Sequence, residues 1–274
     1  MEQRRRWTVA VWGTRGAVPM AAADFLEYGG NTSCISVDCG GELVVLDAGS
    51  GIIGLGEQLS RQNTPKKLHL LISHFHLDHI TGLTGFRPLN DPTAEIHLYG
   101  EGRGSLSFQG LLEQILGPPY WPVGLRDFRS RVSFHEIAPG ERFSLSNGLT
   151  VDTMRANHPN QSLIYRLEGE GRRIVYTLDC EMGDGMEARL AEFARNCGLL
   201  IWDANFAPAD LIRGWGHSTW EQGAAVGREA GAAMVLMTHF SHSYTDEFLR
   251  EQERVAMAAD CAVRFAREGM EIVL

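Results

Sequence analysis

Residues 74–79 read His-Phe-His-Leu-Asp-His, and this stretch limits the fold of the 274-residue chain more than any other. Four side chains able to bind a metal fall within six positions, directly behind the run Leu68-His69-Leu70-Leu71-Ile72-Ser73. That apolar run reads as a buried strand. Clustered polar groups at the end of a buried strand need partners once water is excluded, and a cation can partner all of them at once. The spacing predicts a metal centre at the mouth of a sheet, against the plainer reading of a solvated polar loop.

The rest of the chain supplies the elements around such a site. Short apolar runs bounded by Gly, Asp or Asn recur at Val9–Trp12, Ile35–Val37, Leu43–Leu46, Leu68–Ile72, Ile96–Tyr99, Leu149–Val151, Leu163–Leu167, Ile174–Leu178, Leu199–Trp202 and Met234–Met237. These are strand patterns. Helical patterns fall between them near Ile53–Leu59, Leu106–Leu116, Gly185–Arg195, Thr219–Ala230 and Thr245–Arg267, the last a long charged helix closing the fold. Helices interleaved with strands predict a layered α/β architecture. With no Pro/Ser-rich linker, residues 1–274 are expected to form a single domain. Residues 207–216 and 117–127 read as long loops. The second, with Pro118, Pro119, Tyr120, Trp121 and Pro122, is either a pocket wall or a rigid surface crossing.

Composition removes several function classes. A net charge of −9 argues against broad binding to a phosphate backbone, which needs clustered Lys and Arg. It leaves room for a small anionic substrate held at a metal. Five cysteines, an odd number without a Cys-x-x-Cys pair, suggest reduced thiols and a cytoplasmic home. Arg4-Arg5-Arg6 followed by Trp7 to Trp12 is too short an apolar run for a signal peptide, so it reads as a charged tail before a first strand. No stretch of 18 apolar residues is present, so no membrane span is expected.

Further candidate ligands stand where strand runs stop. His158 follows the run ending near Arg155, Asp179 follows Val175-Tyr176-Thr177-Leu178, and His239 follows Val235-Leu236-Met237-Thr238. Sites in layered α/β folds gather beyond the carboxyl ends of strands, so these residues are expected to converge on the first cluster.

In their order, His74, His76, Asp78, His79, His158, Asp179 and His239 resemble the ligand set of the metallo-β-lactamase fold superfamily, over a match from Gly13 to about Tyr244. The resemblance implies a four-layer αββα sandwich with a metal pair between its two sheets. By carry-over, His74, His76 and His158 hold one metal, Asp78, His79 and His239 the other, and Asp179 bridges them. Imidazole and carboxylate donors suit Zn²⁺, while Mn²⁺ or Fe²⁺ accept similar ligands. An Asp at the position of Asp47 supports the metal site from behind in that superfamily; capping the following turn is the alternative.

Gly216-His217-Ser218-Thr219, together with Thr238-His239-Phe240-Ser241, looks like the ribonuclease Z branch and its phosphodiesterase relatives. In that branch the His equivalent to His217 contacts phosphate or protonates the leaving oxygen; a structural His near a helix cap is the alternative. The long arm with which ribonuclease Z clasps transfer RNA has no counterpart here. Pro159 to Leu178 reads instead as two strands turning at Glu168-Gly169-Glu170-Gly171. Gly13-Thr14-Arg15-Gly16 and Tyr28-Gly29-Gly30-Asn31-Thr32-Ser33-Cys34 resemble a broad group of bacterial metallo-hydrolases. Arg15 and Asn31 either face the cleft or are turn residues. His69, His97 and His135 read as structural or surface residues, and His242 as a candidate pocket residue. Cys180 reads as a small buried residue rather than a further ligand, and Trp215 and Trp220 as packing around the helix start, with stacking on a base the alternative.

The expected function is a dinuclear metal-dependent phosphodiesterase acting on a small or cyclic nucleotide-like diester. Metal-bound hydroxide would attack phosphorus and His217 would act as general acid, with His217 and Asp78 the catalytic residues. Hydrolysis of a lactone, ester or thioester at the same metals is the enzymatic alternative. A non-catalytic nucleotide-binding sensor is the third. Relatives often dimerise, so a homodimer is possible, although no interface is legible.

Overall fold

Along β1 (Thr8–Gly13) buried and half-buried side chains alternate strictly, the period-two pattern of a strand with one face on a core. In the computed structural model, which describes residues 6–61, 67–145 and 148–274, β1 lies near one edge of a seven-stranded sheet. That sheet runs β14 (Glu271–Val273), β1, β2 (Cys34–Asp38), β3 (Leu43–Leu46), β4 (Lys67–Leu71), β5 (Glu95–Gly100) and β6 (Arg131–Glu136). A second sheet of seven runs β13 (Val263–Phe265), β12 (Val235–Thr238), β11 (Leu199–Asp203), β10 (Arg172–Thr177), β9 (Leu163–Gly169), β8 (Thr150–Arg155) and β7 (Arg142–Ser144). Arg4 and Arg5 of the expected charged tail lie outside the described residues.

Three apolar cores hold four layers together. Between the sheets, Val9, Val11, Val37, Val44 and Leu46 meet Val151, Tyr165, Leu167, Ile174 and Ile201. On the outer face of the first sheet, Val45, Leu68 and Leu70 pack against Ile52, Leu55 and Leu59 of α1 (Ile52–Ser60) and Phe108 and Leu112 of α3 (Phe108–Ile115). The outer face of the second sheet is covered by α4 (Met186–Phe193), α5 (Trp220–Ala230) and α6 (Asp246–Ala259), through residues such as Leu190, Val226 and Leu249. The order is αββα, as the resemblance implied. Each fully buried aliphatic side chain contributes about 1.5–3 kcal/mol, so three continuous cores fix the scaffold on which the site stands.

Both sheets have a parallel half. β3, β4, β5 and β6 run parallel, as do β10, β11, β12 and β13. The carboxyl ends of these strands gather at one rim, where His74, Asp179 and His239 follow β4, β10 and β12.

The expected final helix is too long. α6 stops at Ala259, Asp260 is extended with φ −149°, and residues 263–265 form β13, with Val263 paired to Val235 and Phe265 to Met237. Val263 and Phe265 are fully buried while Arg264 is not. That local period of two wins because the open edge of β12 offers hydrogen bonds that a helix would forgo. Between β9 and β10 only Glu170 and Gly171 intervene, both with positive φ (52° and 76°), the tight turn that matches strand twist. No inserted arm interrupts this hairpin. In the 117–127 loop Tyr120 is exposed, and none of Pro118–Pro122 lines the cavity beside His74; the segment is a surface crossing.

Candidate metal centre and active site

Asp47, Asp179 and His239 each come within two residues of a strand's carboxyl end, and each adopts a left-handed backbone, with φ of 58°, 50° and 61°. Non-glycine residues there cost energy and persist where the surroundings fix them, often at functional sites. The reversal turns each side chain back across the strand ends. α2 (Leu77–Ile80) supplies the next pair: one helical turn places Asp78 and His79 beside each other, both buried.

Asp179 stands at the centre. Its Oδ2 lies 3.3 Å from His74 Nε2 and 3.7 Å from His158 Nε2. Its Oδ1 lies 3.3 Å from His79 Nε2 and 3.2 Å from His239 Nε2. Asp78 Oδ2 faces the second side, 3.4 Å from His79 Nε2 and 3.2 Å from His239 Nε2. It also accepts from the Ala17 amide at 2.7 Å. Among the described residues, donor atoms of His74, His76, His158 and Asp179 lie within 4.8 Å of one another, as do those of Asp78, His79 and His239. A third such group joins Asp179 and His239 to Asp203 and His217.

The two sides differ in their electrostatic surroundings. Burial lowers His76 to about 4 and His158 to about 3, and burial also lowers His74. Three neutral imidazoles result, the form in which His binds metal. On the other side burial is outweighed by carboxylates: Asp179 and its neighbours lift His239 to about 10 and raise His79 well above its ordinary value. Desolvation would raise Asp78 and Asp179, yet the imidazoles beside them hold both below the carboxylate range.

The donor set fits a pair of divalent cations. His74 Nε2, His79 Nε2 and Asp179 Oδ1 are buried without any hydrogen-bond partner, a costly state that a metal relieves. His76 Nε2 instead accepts from Asn160 Nδ2 at 2.7 Å.

Asp47 resolves its two alternatives in favour of the site. Its carboxylate accepts from His79 Nδ1 at 2.7 Å, the Ser73 amide at 2.7 Å, the Ser73 hydroxyl at 2.8 Å and the Tyr176 hydroxyl at 2.7 Å. It orients His79 from behind and ties the first sheet to the second through Tyr176. No side chain caps α1, whose cap position is Gly51.

His217 precedes α5, whose Thr219 and Gln222 form a reciprocal cap. Its Nδ1 lies 3.0 Å from Asp203 Oδ2, and its ring centroid is 5.3 Å from that of His239 and 6.0 Å from that of His158. Burial lowers the His217 pKa, but the charge and hydrogen bond of Asp203 outweigh it, so the net shift is upward. Sequence reasoning missed Asp203. The signal was present, since Asp203 ends β11 as Asp179 closely follows β10. Asp203 Oδ1 also lies 3.4 Å from His239 Nδ1.

Other candidates are turned elsewhere. Arg15 is fully buried and donates to Gly29 O and Tyr244 O, with Asp246 at 3.4 Å. Asn31 donates to Glu268 and accepts from Ser50. Both are structural. Gly16 beside Arg15 is what reaches the site: a Cβ there would sit 2.7 Å from His239 Cε1, so the close approach requires glycine. His242 is exposed. Cys180 is buried, as expected. His69 is buried and stacks on His97, which stacks on His135, in the region between the sheets. Trp220 packs and donates to Gln252, whereas Trp215 is exposed, against the expectation that both would pack.

The model of the beta-lactamase superfamily domain matches residues 43–240, most of the chain and all seven clustered residues. The chain belongs to the beta-lactamase superfamily. Among curated relatives, ribonuclease Z of Haloarcula marismortui is 27% identical across 96% of this chain and 95% of that protein. Among solved structures, the metallo-β-lactamase fold protein YhfI from Bacillus subtilis superimposes with a TM-score of 0.73 at 20% identity, covering 98% of this chain and 100% of that one. The short form of human tRNase Z gives 0.69 at 21% identity, covering 97% and 98%. Within the superfamily, the relatives and structures most like the chain include ribonuclease Z proteins. It has the metallo-β-lactamase fold, with buried His and Asp clusters that could hold metal ions. No helix among the described residues is long and apolar enough to cross a membrane.

Proposed function

We propose that residues 1–274 act as one phosphodiesterase domain on a small or cyclic nucleotide-like diester. The observation that carries this reading is the placement of His217 beside the metal-binding clusters, with its Nδ1 engaged by Asp203 at 3.0 Å. Ester or lactone hydrolysis needs no such acid; departure of an alkoxide from phosphorus benefits from one.

In this reading His74, His76 and His158 hold one cation and Asp78, His79 and His239 the other. Asp179 offers one oxygen to each side. Zn²⁺ is the preferred ion, with Mn²⁺ or Fe²⁺ acceptable to the same donors. Bound there, two divalent cations supply Lewis acidity, lowering the pKa of a water to about 7 and neutralising phosphoryl charge. The chain's own residues do the rest. Asp47 and Asp203 fix His79 and His217 in single orientations. Because Asp203 accepts from Nδ1, the His217 proton to be donated is on Nε2, and Asp203 stabilises the charged ring before transfer. The Asp78 carboxylate stays ionised beside His79 and His239.

A small anion suits the surroundings better than folded RNA. The β9–β10 hairpin closes in two residues, and the net charge is −9. Turnover of bis-p-nitrophenyl phosphate, cyclic nucleotides, lactones and thioesters by metal-replete protein tests the reading. Hydrolysis of diesters is expected. Lactone or thioester turnover with no diester cleavage would overturn it, and tight nucleotide binding without turnover would point to a sensor.

A further inference from the structure

Two further rings lead away from His217. Phe206 lies 5.9 Å from the His217 ring, and Trp215 lies 6.3 Å from Phe206, both pairs edge-to-face. Phe206 is buried, whereas Trp215 is 61% exposed. A single exposed apolar side chain is ordinary on any protein. What sets Trp215 apart is that its loop is held rigidly. The amides of Gly214 and Gly216 both donate to Glu181 Oε2, at 2.7 and 3.1 Å. Arg213 Nη1 donates to Met182 O at 2.7 Å. Gly214 and Gly216 have φ of 82° and 81°, and a Cβ on Gly216 would stand 2.3 Å from His158 Cδ2. The backbone on either side of Trp215 is thereby held by Glu181, with Gly216 directly against His158, and the indole is left exposed to solvent.

We infer that Trp215, backed by Phe206, is a stacking platform for a flat aromatic ring on the leaving half of the substrate, the base of a nucleoside. The assignment to the leaving half rests on the phosphodiesterase reading: His217 protonates the departing oxygen, so a group next to His217 belongs to the part that departs. The stacking itself rests only on the ring row and the pinned loop. Base–aromatic stacking tolerates any base, because every base offers a π face. The platform therefore selects for a nucleoside over a ring-free alkyl or sugar group, without choosing among bases.

Two measurements test this. In the first, adenosine 5′-monophosphate and ribose 5-phosphate are titrated into metal-replete wild-type protein and into Trp215→Ala and Trp215→Phe, followed by calorimetry. Wild-type protein is expected to bind the nucleotide roughly 5- to 150-fold more tightly than the sugar phosphate, the range that loss of one stacked base implies. Trp215→Ala should lose that preference and Trp215→Phe should keep most of it. Equal binding of the two probes by wild-type protein, or a preference that survives Trp215→Ala, overturns the inference. In the second, kcat/KM is compared for diesters whose leaving group is a nucleoside or an alkyl alcohol, and the ratio should fall by a similar factor in Trp215→Ala through KM. If no diester is cleaved at all, the phosphodiesterase reading fails, and the binding comparison still decides the platform.

Discussion

Asp203 Oδ2 accepts a hydrogen bond from His217 Nδ1 at 3.0 Å, joining the end of β11 to the residue two positions before the cap of α5. The pair is an oriented imidazole and its carboxylate, as found behind His residues that donate or hold protons. Replacing Asp203 by Asn keeps the shape and removes the charge. The expected outcome is a 10- to 100-fold fall in kcat, about the cost of losing such an orienting partner. An unchanged kcat in steady-state kinetics would show that Asp203 does not serve His217.

His217→Ala separates acid catalysis from metal retention. Metal content should be kept, while kcat on diesters falls by about 10²–10⁴. Elemental analysis and kinetics on the same sample check this. Loss of the metal instead would move His217 from proton donor to ligand.

Asp179→Ala should lose metal and activity together. Asp179 is the residue whose two oxygens face both halves of the cluster, at 3.3 Å from His74 and 3.2 Å from His239. Chelation of wild-type protein should reproduce the loss, and adding back Zn²⁺ or Mn²⁺ should reverse it. Full metal occupancy in Asp179→Ala would contradict the bridging role.

Tyr176→Phe probes the link between the sheets. The hydroxyl donates to Asp47 Oδ2 at 2.7 Å in a buried setting. A hydrogen bond to a charged group contributes about 1.5–3 kcal/mol, and urea denaturation should show a loss of that size. A change near zero would mean that Ser73 and His79 satisfy Asp47 without it.

His69 should make the protein less stable in mild acid. Burial, and then the neighbouring His97, lower its pKa to about 4 from an ordinary 6.5. Between those values the unfolded chain binds a proton that the folded chain does not, so stability falls as pH drops through this window. In metal-free protein, His69→Gln should flatten the decline in urea midpoint between about pH 7 and about pH 5. An identical slope in both proteins would remove His69 from the account.

Much of the fold was legible because buried strands announce themselves locally. The runs Val9–Trp12, Leu68–Ile72 and Leu199–Trp202 all lie in strands or at their ends. β6, β7 and β14 did not stand out, since edge and terminal strands are half exposed and their apolar alternation is weak. Residues 245–267 misled for a related reason: a charged helical period hides the two buried positions, Val263 and Phe265, that pair with β12.

The sequence by itself determined the chemistry on offer: which imidazoles and carboxylates stand at strand ends, and in what order. That information is local, because strand ends and ligand types are written in adjacent residues. Tertiary structure alone decided who meets whom. Asp47 meets Tyr176 across 129 positions of chain, Arg15 turns into the body of the protein toward Asp246, and of two tryptophans flanking His217 one is buried and the other left in solvent. Such outcomes depend on how two sheets pack and where their strand ends coincide, a property of the cores between them that no short window of sequence contains.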